Sequence, residues 1–219
     1  MTKKVLIVVT NHSEIHEGRT TGIWLSEFGE AYVEFVRRGY EVTVAGPLGG
    51  AVPVDPGSIG PDTPQEIADT RRLLENVSRL DEVSSEGFDA IFLPGGHGTM
   101  YDLPGNAKLG QLLREFYEGG RVVAAVCHGP AGLVGATLSD GQPLVAGRRV
   151  SAFTNGEEAE TGLDRHLPFL LESRLRELGA IFVAAPNWSA HSVTDGNLIT
   201  GQNPQSTLAV AKAVIDKLG

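Results

Sequence analysis

Five short apolar runs, set apart by stretches of helical periodicity, constrain this chain more than any other feature of its sequence. They cover residues 4–10, 41–45, 90–93, 122–126 and 181–184, and each is rich in β-branched residues. Runs without a polar face predict strands covered on both sides in a parallel sheet. Between them, Trp24, Leu25, Phe28, Ala31, Tyr32 and Phe35 fall on one side of a helix that ends near Gly39. Leu109, Leu112, Leu113 and Phe116 do the same ahead of Gly119-Gly120, and residues 169–178 give a further helix stopped by Gly179. Asn203-Pro204 opens the last, as cap and first-turn proline, and its strip holds Leu208, Val210, Ala211, Val214 and Ile215. This alternation predicts an α/β fold, doubly wound, with a mostly parallel sheet sandwiched by helices.

Two kinds of segment break the rhythm. Residues 46–60, rich in Gly and Pro, read as an irregular excursion. Residues 144–151 and 192–200, the latter centred on Asp195-Gly196, predict small β-ribbons near the sheet edge. No repeat or linker divides the 219 residues, so a single domain, 1–219, is expected.

Lys and Arg number 18 against 27 Asp and Glu, a net charge of −9. An acidic surface repels phosphate backbones, which argues against nucleic acid and anionic membrane as partners. The apolar stretch behind Lys3-Lys4 stops at Thr10, too short for a signal peptide or a membrane span. A cytoplasmic location is the expectation. One cysteine makes no internal disulfide.

That cysteine carries the most informative motif, Arg121-Val-Val-Ala-Ala-Val-Cys-His-Gly-Pro-Ala-Gly-Leu133. An apolar strand runs straight into Cys127, and Gly129-Pro130 then opens a helix. A nucleophile at such an elbow sits at the carboxyl end of its strand, where open α/β sheets bind ligands. Amide groups at the helix start favour thiolate, predicting a lowered thiol pKa. A solitary cysteine is more often a small buried hydrophobe; the elbow and the adjacent His128 favour the nucleophile.

A second motif, Leu93-Pro-Gly-Gly-His-Gly-Thr99, closes another strand with a glycine-rich turn. The N–H of Gly95 or Gly96 is expected to form half of an oxyanion hole, and that of His128 the other half. His97 is read as ordering this turn or lining the pocket. Glu27 lies at the edge of the first helix's apolar strip, either partly buried towards Cys127 or solvated. Trp24 and Tyr101 fit either an apolar pocket wall or the core. His12, His16 and Glu17 have metal-like spacing but sit in a polar loop broken by Gly18, so no metal site is expected.

Together the motifs resemble the ThiJ/PfpI superfamily, whose fold is that of class I glutamine amidotransferases, a flavodoxin-like sandwich. The resemblance rests on Thr21-Gly-Ile-Trp-Leu-Ser-Glu27, Leu93-Pro-Gly-Gly-His-Gly-Thr-Met-Tyr-Asp-Leu-Pro104, Ala125-Val-Cys-His-Gly-Pro130, Phe153-Thr-Asn-Gly-Glu-Glu158 and Leu198-Ile-Thr-Gly-Gln-Asn-Pro204. Within it, the chain looks most like the heat-shock chaperone branch that contains glutathione-independent glyoxalases. The resemblance implies Cys127 as nucleophile, His128 as its partner and Glu27 as the carboxylate that hydrogen-bonds the sulfur. The third triad acid falls in the Phe153 segment, where Glu158 matches best and Glu157 is the alternative one residue away. The resemblance also implies a small 2-oxoaldehyde substrate such as methylglyoxal, with no cofactor, in a homodimer; Trp24 and His97, read from the residues, are the candidates to line its pocket, and no metal is expected. Glutamine amidotransferases pair their cysteine with a late His-x-Glu. Here His166 is followed by Leu-Pro and His191 by Ser-Val, so ammonia release is not expected. Two alternatives stand beside the glyoxalase: a stress-response chaperone or redox sensor, and a cysteine peptidase or amidase.

Overall fold

A computed structural model describes residues 2–219. Its strands are β1 (Lys4–Val8), β2 (Glu14–His16), β3 (Arg19–Thr20), β4 (Glu41–Gly46), β5 (Ser78–Arg79), β6 (Ala90–Leu93), β7 (Val122–Val126), β8 (Arg149–Val150), β9 (Ile181–Phe182), β10 (Ser192–Asp195) and β11 (Leu198–Gly201). The α-helices are α1 (Leu25–Arg37), α2 (Gln65–Ala68), α3 (Thr99–Asp102), α4 (Ala107–Glu118), α5 (Asn155–Thr161), α6 (Leu171–Glu177) and α7 (Thr207–Leu218).

Seven strands form the central sheet in the order β10-β11-β7-β6-β1-β4-β5. All pairs are parallel except β10 with β11. Successive residues of a strand face opposite sides, so each apolar run feeds two cores. Leu6, Val8, Ile91, Leu93, Val123 and Ala125 pack on the side of α4, against its Leu109, Leu112, Leu113 and Phe116. Val5, Ile7, Phe92, Ala124 and Val126 pack on the other, against Phe28 and Phe35 of α1 and Val210 and Val214 of α7. Each Val, Leu, Ile or Phe among these contributes roughly 1.5–3 kcal/mol by leaving water. The α/β sandwich expected from the runs is the observed fold.

Connectivity positions the crevice. From β1 the chain passes through α1 to β4 and β5 on one side, then returns to β6 on the other side of β1. The crevice therefore opens beyond the carboxyl ends of β1, β6 and β7.

Three expectations need correction. Residues 181–184 do not join the main sheet; only Ile181–Phe182 is strand, paired parallel with β8 in a separate two-stranded sheet. The place beside β7 belongs to β11, buried at all four residues, which residues 192–200 supply as the inner arm of a hairpin. Residues 144–151 form no ribbon of their own, since only Arg149–Val150 extends and its partner is the distant β9. After Cys127 the chain makes a 3₁₀ helix (Gly129–Leu133), not an α-helix. Two glycines and a proline in five residues oppose a longer one. No helix among the described residues is long and apolar enough to cross a membrane.

Candidate active site

The elbow is held from both sides. Cys127 leaves β7 with φ 59°, a left-handed conformation that non-glycine residues adopt rarely. Its N–H donates to Gly201 O at 3.0 Å, and its carbonyl accepts from Phe153 N–H at 2.9 Å. Gly129 makes the turn possible, because a Cβ there would stand 2.0 Å from Leu93 O. Cys127 is buried, 4% exposed.

Beside it, His128 is buried with Nδ1 3.4 Å from Cys127 Sγ. The other ring nitrogen, Nε2, donates to Glu158 Oε2 at 2.6 Å. Glu158 Oε1 accepts from His97 Nε2 at 2.8 Å and from Thr161 Oγ1 at 3.0 Å. A carboxylate offers only acceptors, so the proton of neutral His128 is assigned to Nε2 and the Nδ1 lone pair faces the sulfur. Glu157, the alternative acid, points elsewhere. It accepts from Thr154 as a capping box, and from Trp188 N–H, Gln202 Nε2 and Asn203 Nδ2. Glu158, not Glu157, touches His128.

Glu27 comes from the first turn of α1 and is fully buried. Its Oε2 accepts from Gly95 N–H at 2.7 Å, while Trp24 N–H donates to Gly95 O at 3.0 Å, so one residue of the β6 turn pins the helix start. The N–H of Gly95 is thereby committed to Glu27 rather than to the cavity. Gly96 N–H has no partner among the described residues, and His128 N–H points at the sulfur.

Burial dominates the electrostatics. It raises Glu27 to about 8, against the hydrogen bond from Gly95 and the neighbouring Cys127. The Cys127 thiol is likewise pushed well above its ordinary value by burial, with Glu27 adding to it. That corrects the expectation of a lowered thiol: a 3₁₀ turn brings too small a dipole to offset desolvation. His128 is lowered by burial and by His97. Burial would raise Glu158, but the electrostatic attraction of the two imidazole rings and the N–H groups that His128 and His97 donate outweigh it and hold the carboxyl well below the usual range. Neutral His128 therefore faces an ionised Glu158 on one side and a protonated thiol on the other.

These groups open on a cavity of about 80 Å³, nearly all apolar, lined by Trp24, His97, Cys127, Phe153, Trp188 and Pro204. Trp24 is thus a wall residue. Tyr101 is not; it stacks on His12 at 4.2 Å and its hydroxyl donates to Ile15 O and His166 O. His16 packs against His166, and His12, His16 and Glu17 do not converge. His97, His128 and Glu158 bring three donor atoms within 4.8 Å, the one group among the described residues shaped to hold a metal ion. Both imidazoles now donate Nε2–H to the carboxylate, so a cation would displace both protons. Sequence reasoning missed the Glu158 bond of His97 and the walls Phe153, Trp188 and Pro204. Phe153 and Pro204 lie within the family-like motifs; Trp188 carries no sequence signal.

The family model described as DJ-1/PfpI matches residues 3–217. The chain belongs to the DJ-1/PfpI family. Among its relatives, the glutathione-independent glyoxalase HSP31 of Saccharomyces cerevisiae is 32% identical over 99% of this chain and 98% of its own length. A solved structure, glyoxalase III of Candida albicans, superposes with a TM-score of 0.90 at 30% identity, covering 98% of this chain and 96% of that one. The rapid encystment protein of 24 kDa from Francisella tularensis gives 0.95 at 33% identity, covering 100% of both chains.

Proposed function

We propose that this DJ-1/PfpI chain is a glutathione-independent glyoxalase, a lyase of the glyoxalase III type that turns 2-oxoaldehydes such as methylglyoxal into 2-hydroxy acids. The observation that carries the reading is the relay from Cys127 Sγ through His128 to Glu158, ending on a small apolar cavity. The names of its full-length relatives agree with it.

Nδ1 of His128 takes the thiol proton, and Glu158 steadies the imidazolium that results. The thiolate attacks the aldehyde carbon, giving a hemithioacetal whose oxygen is met by the N–H groups of Gly96 and His128. Glu27 or His128, on either side of the sulfur, carries the C1 proton through an enediol to C2. The product is a 2-hydroxyacyl thioester, which water cleaves to release the acid and restore the thiol. One water is added in sum, and the redox change is internal to the substrate. A cytoplasmic location, expected from the short apolar stretch behind Lys3-Lys4, and a homodimer stay part of this reading.

The alternatives draw less support. Burial and the raised thiol work against a peroxide sensor, which needs an exposed thiolate. A cavity of about 80 Å³ holds no extended peptide. The decisive experiment measures lactate from methylglyoxal without glutathione, for wild type and Cys127→Ala. Turnover by wild type alone is the expected result; no turnover by wild type above buffer removes the reading.

A further inference from the structure

We infer that Trp188 sets the size limit of this site, admitting 2-oxoaldehydes with small aliphatic substituents and shutting out aryl ones. The identity of the carbonyl compound rests on the glyoxalase reading; the size limit does not.

Trp188 has φ 62° and is, with Cys127, one of two non-glycine residues of positive φ among the described residues. A bulky residue keeps such a backbone only where its surroundings over-determine it. Here they do so at both ends of the residue. The backbone N–H donates to Glu157 Oε1 at 2.8 Å, and that carboxylate is buried and braced by Gln202 and Asn203. The indole Nε1–H donates to Glu160 Oε2, while the other oxygen of Glu160 accepts from Asn187 Nδ2 at 2.8 Å. Phe153 meets the ring edge-on at 5.5 Å between centroids. The side chain is thus aimed, not merely accommodated.

Core packing does not account for this investment. Trp188 is 39% exposed and also lines the cavity that holds Cys127, so it stands between that cavity and solvent. The cavity volume, about 80 Å³, is near half that of an apolar cavity of ~150 Å³ that takes up benzene. A methyl substituent fits beside the sulfur; a phenyl does not while the indole is in place. Glu157 and Glu160 act through Trp188 and are positioning residues.

The test compares wild type, Trp188→Ala, Trp188→Gly and Glu160→Gln in two assays. One is the ratio of kcat/KM for methylglyoxal over phenylglyoxal. The other is the ratio of Cys127 alkylation rates by iodoacetamide over N-phenyl iodoacetamide, read by intact mass without any turnover. Glycine suits the left-handed backbone, so Trp188→Gly removes the wall while relieving strain. Both ratios should fall by about tenfold or more in the two Trp188 variants, a usual worth for one pocket wall. The shift should lie mainly in the KM for phenylglyoxal, and Glu160→Gln should give a smaller shift of the same sign. Ratios within twofold of wild type in both Trp188 variants overturn the inference. If wild type makes no lactate yet the alkylation ratio collapses on losing Trp188, the glyoxalase reading falls and the size limit stands. If lactate forms and neither ratio moves, the reverse holds.

Discussion

His128 donates Nε2–H to Glu158 Oε2 across 2.6 Å, both side chains buried, and that contact decides which ring nitrogen Cys127 meets. Replacing the carboxylate by an amide removes both the charge that steadies an imidazolium and the rule that Nε2 carries the proton. Glu158→Gln should therefore lower kcat for lactate formation by about 10²–10⁴-fold with little change in KM. Steady-state kinetics on methylglyoxal check it. A kcat within threefold of wild type would remove Glu158 from the relay.

Much of this arrangement was legible in the residues, for definite reasons. Runs such as 90–93 and 122–126 are buried on both faces, so their composition alone marks them as central strands. The run at 181–184 has the same composition and a different fate, because the hairpin of β10 and β11 takes the place beside β7. No local pattern records that competition. Helical spacing brought Glu27 to the edge of the α1 strip, but its burial depends on Gly95, 68 residues away. Trp188 was silent because a positive φ and a distant carboxylate leave no periodic trace. The thiol departs from its sequence expectation for a physical reason: an elbow before a helix suggests a dipole, whereas desolvation governs.

The raised thiol has a kinetic signature. A thiol raised by burial gains thiolate only at high pH, whereas one activated by a helix reacts fully at neutral pH. Alkylation of Cys127 by iodoacetamide should still be climbing at pH 9 in the free protein. A rate that levels off below pH 7 would show the thiol is depressed after all.

Glu27 makes folding stability depend on pH in a sense opposite to most carboxylates. Its folded pKa is about 8 against an ordinary 4.5. Below pH 4.5 both states hold the proton and no penalty arises. Between 4.5 and 8 the unfolded chain releases a proton that the folded one keeps, so stability falls as pH rises. The interval corresponds to roughly 5 kcal/mol. Glu27→Gln cannot titrate, so its stability relative to wild type should improve steadily from pH 5 to pH 8. Urea denaturation at three pH values measures this, and a difference that does not vary with pH would mean Glu27 is ionised when folded.

Gly129 shows how the elbow and the fold share one constraint. A Cβ there would lie 2.0 Å from Leu93 O, 2.9 Å from Leu93 C and 3.2 Å from Pro94 C. All three are backbone atoms of the turn after β6, which carries Gly95 against Glu27, so nothing near them can yield cheaply. Gly129→Ala should cost about 3 kcal/mol or more, lowering Tm by roughly 6–12 °C. Gly120 provides the contrast. It has φ 69° with open space where a Cβ would go, so Gly120→Ala pays only for the left-handed backbone, about 1 kcal/mol. Thermal melts of the two variants separate close approach from conformational freedom. Equal losses would mean that the contact with Leu93 is relieved by a shift of the β6 turn, and lactate formation by Gly129→Ala should then fall because Gly95 and Glu27 move with it.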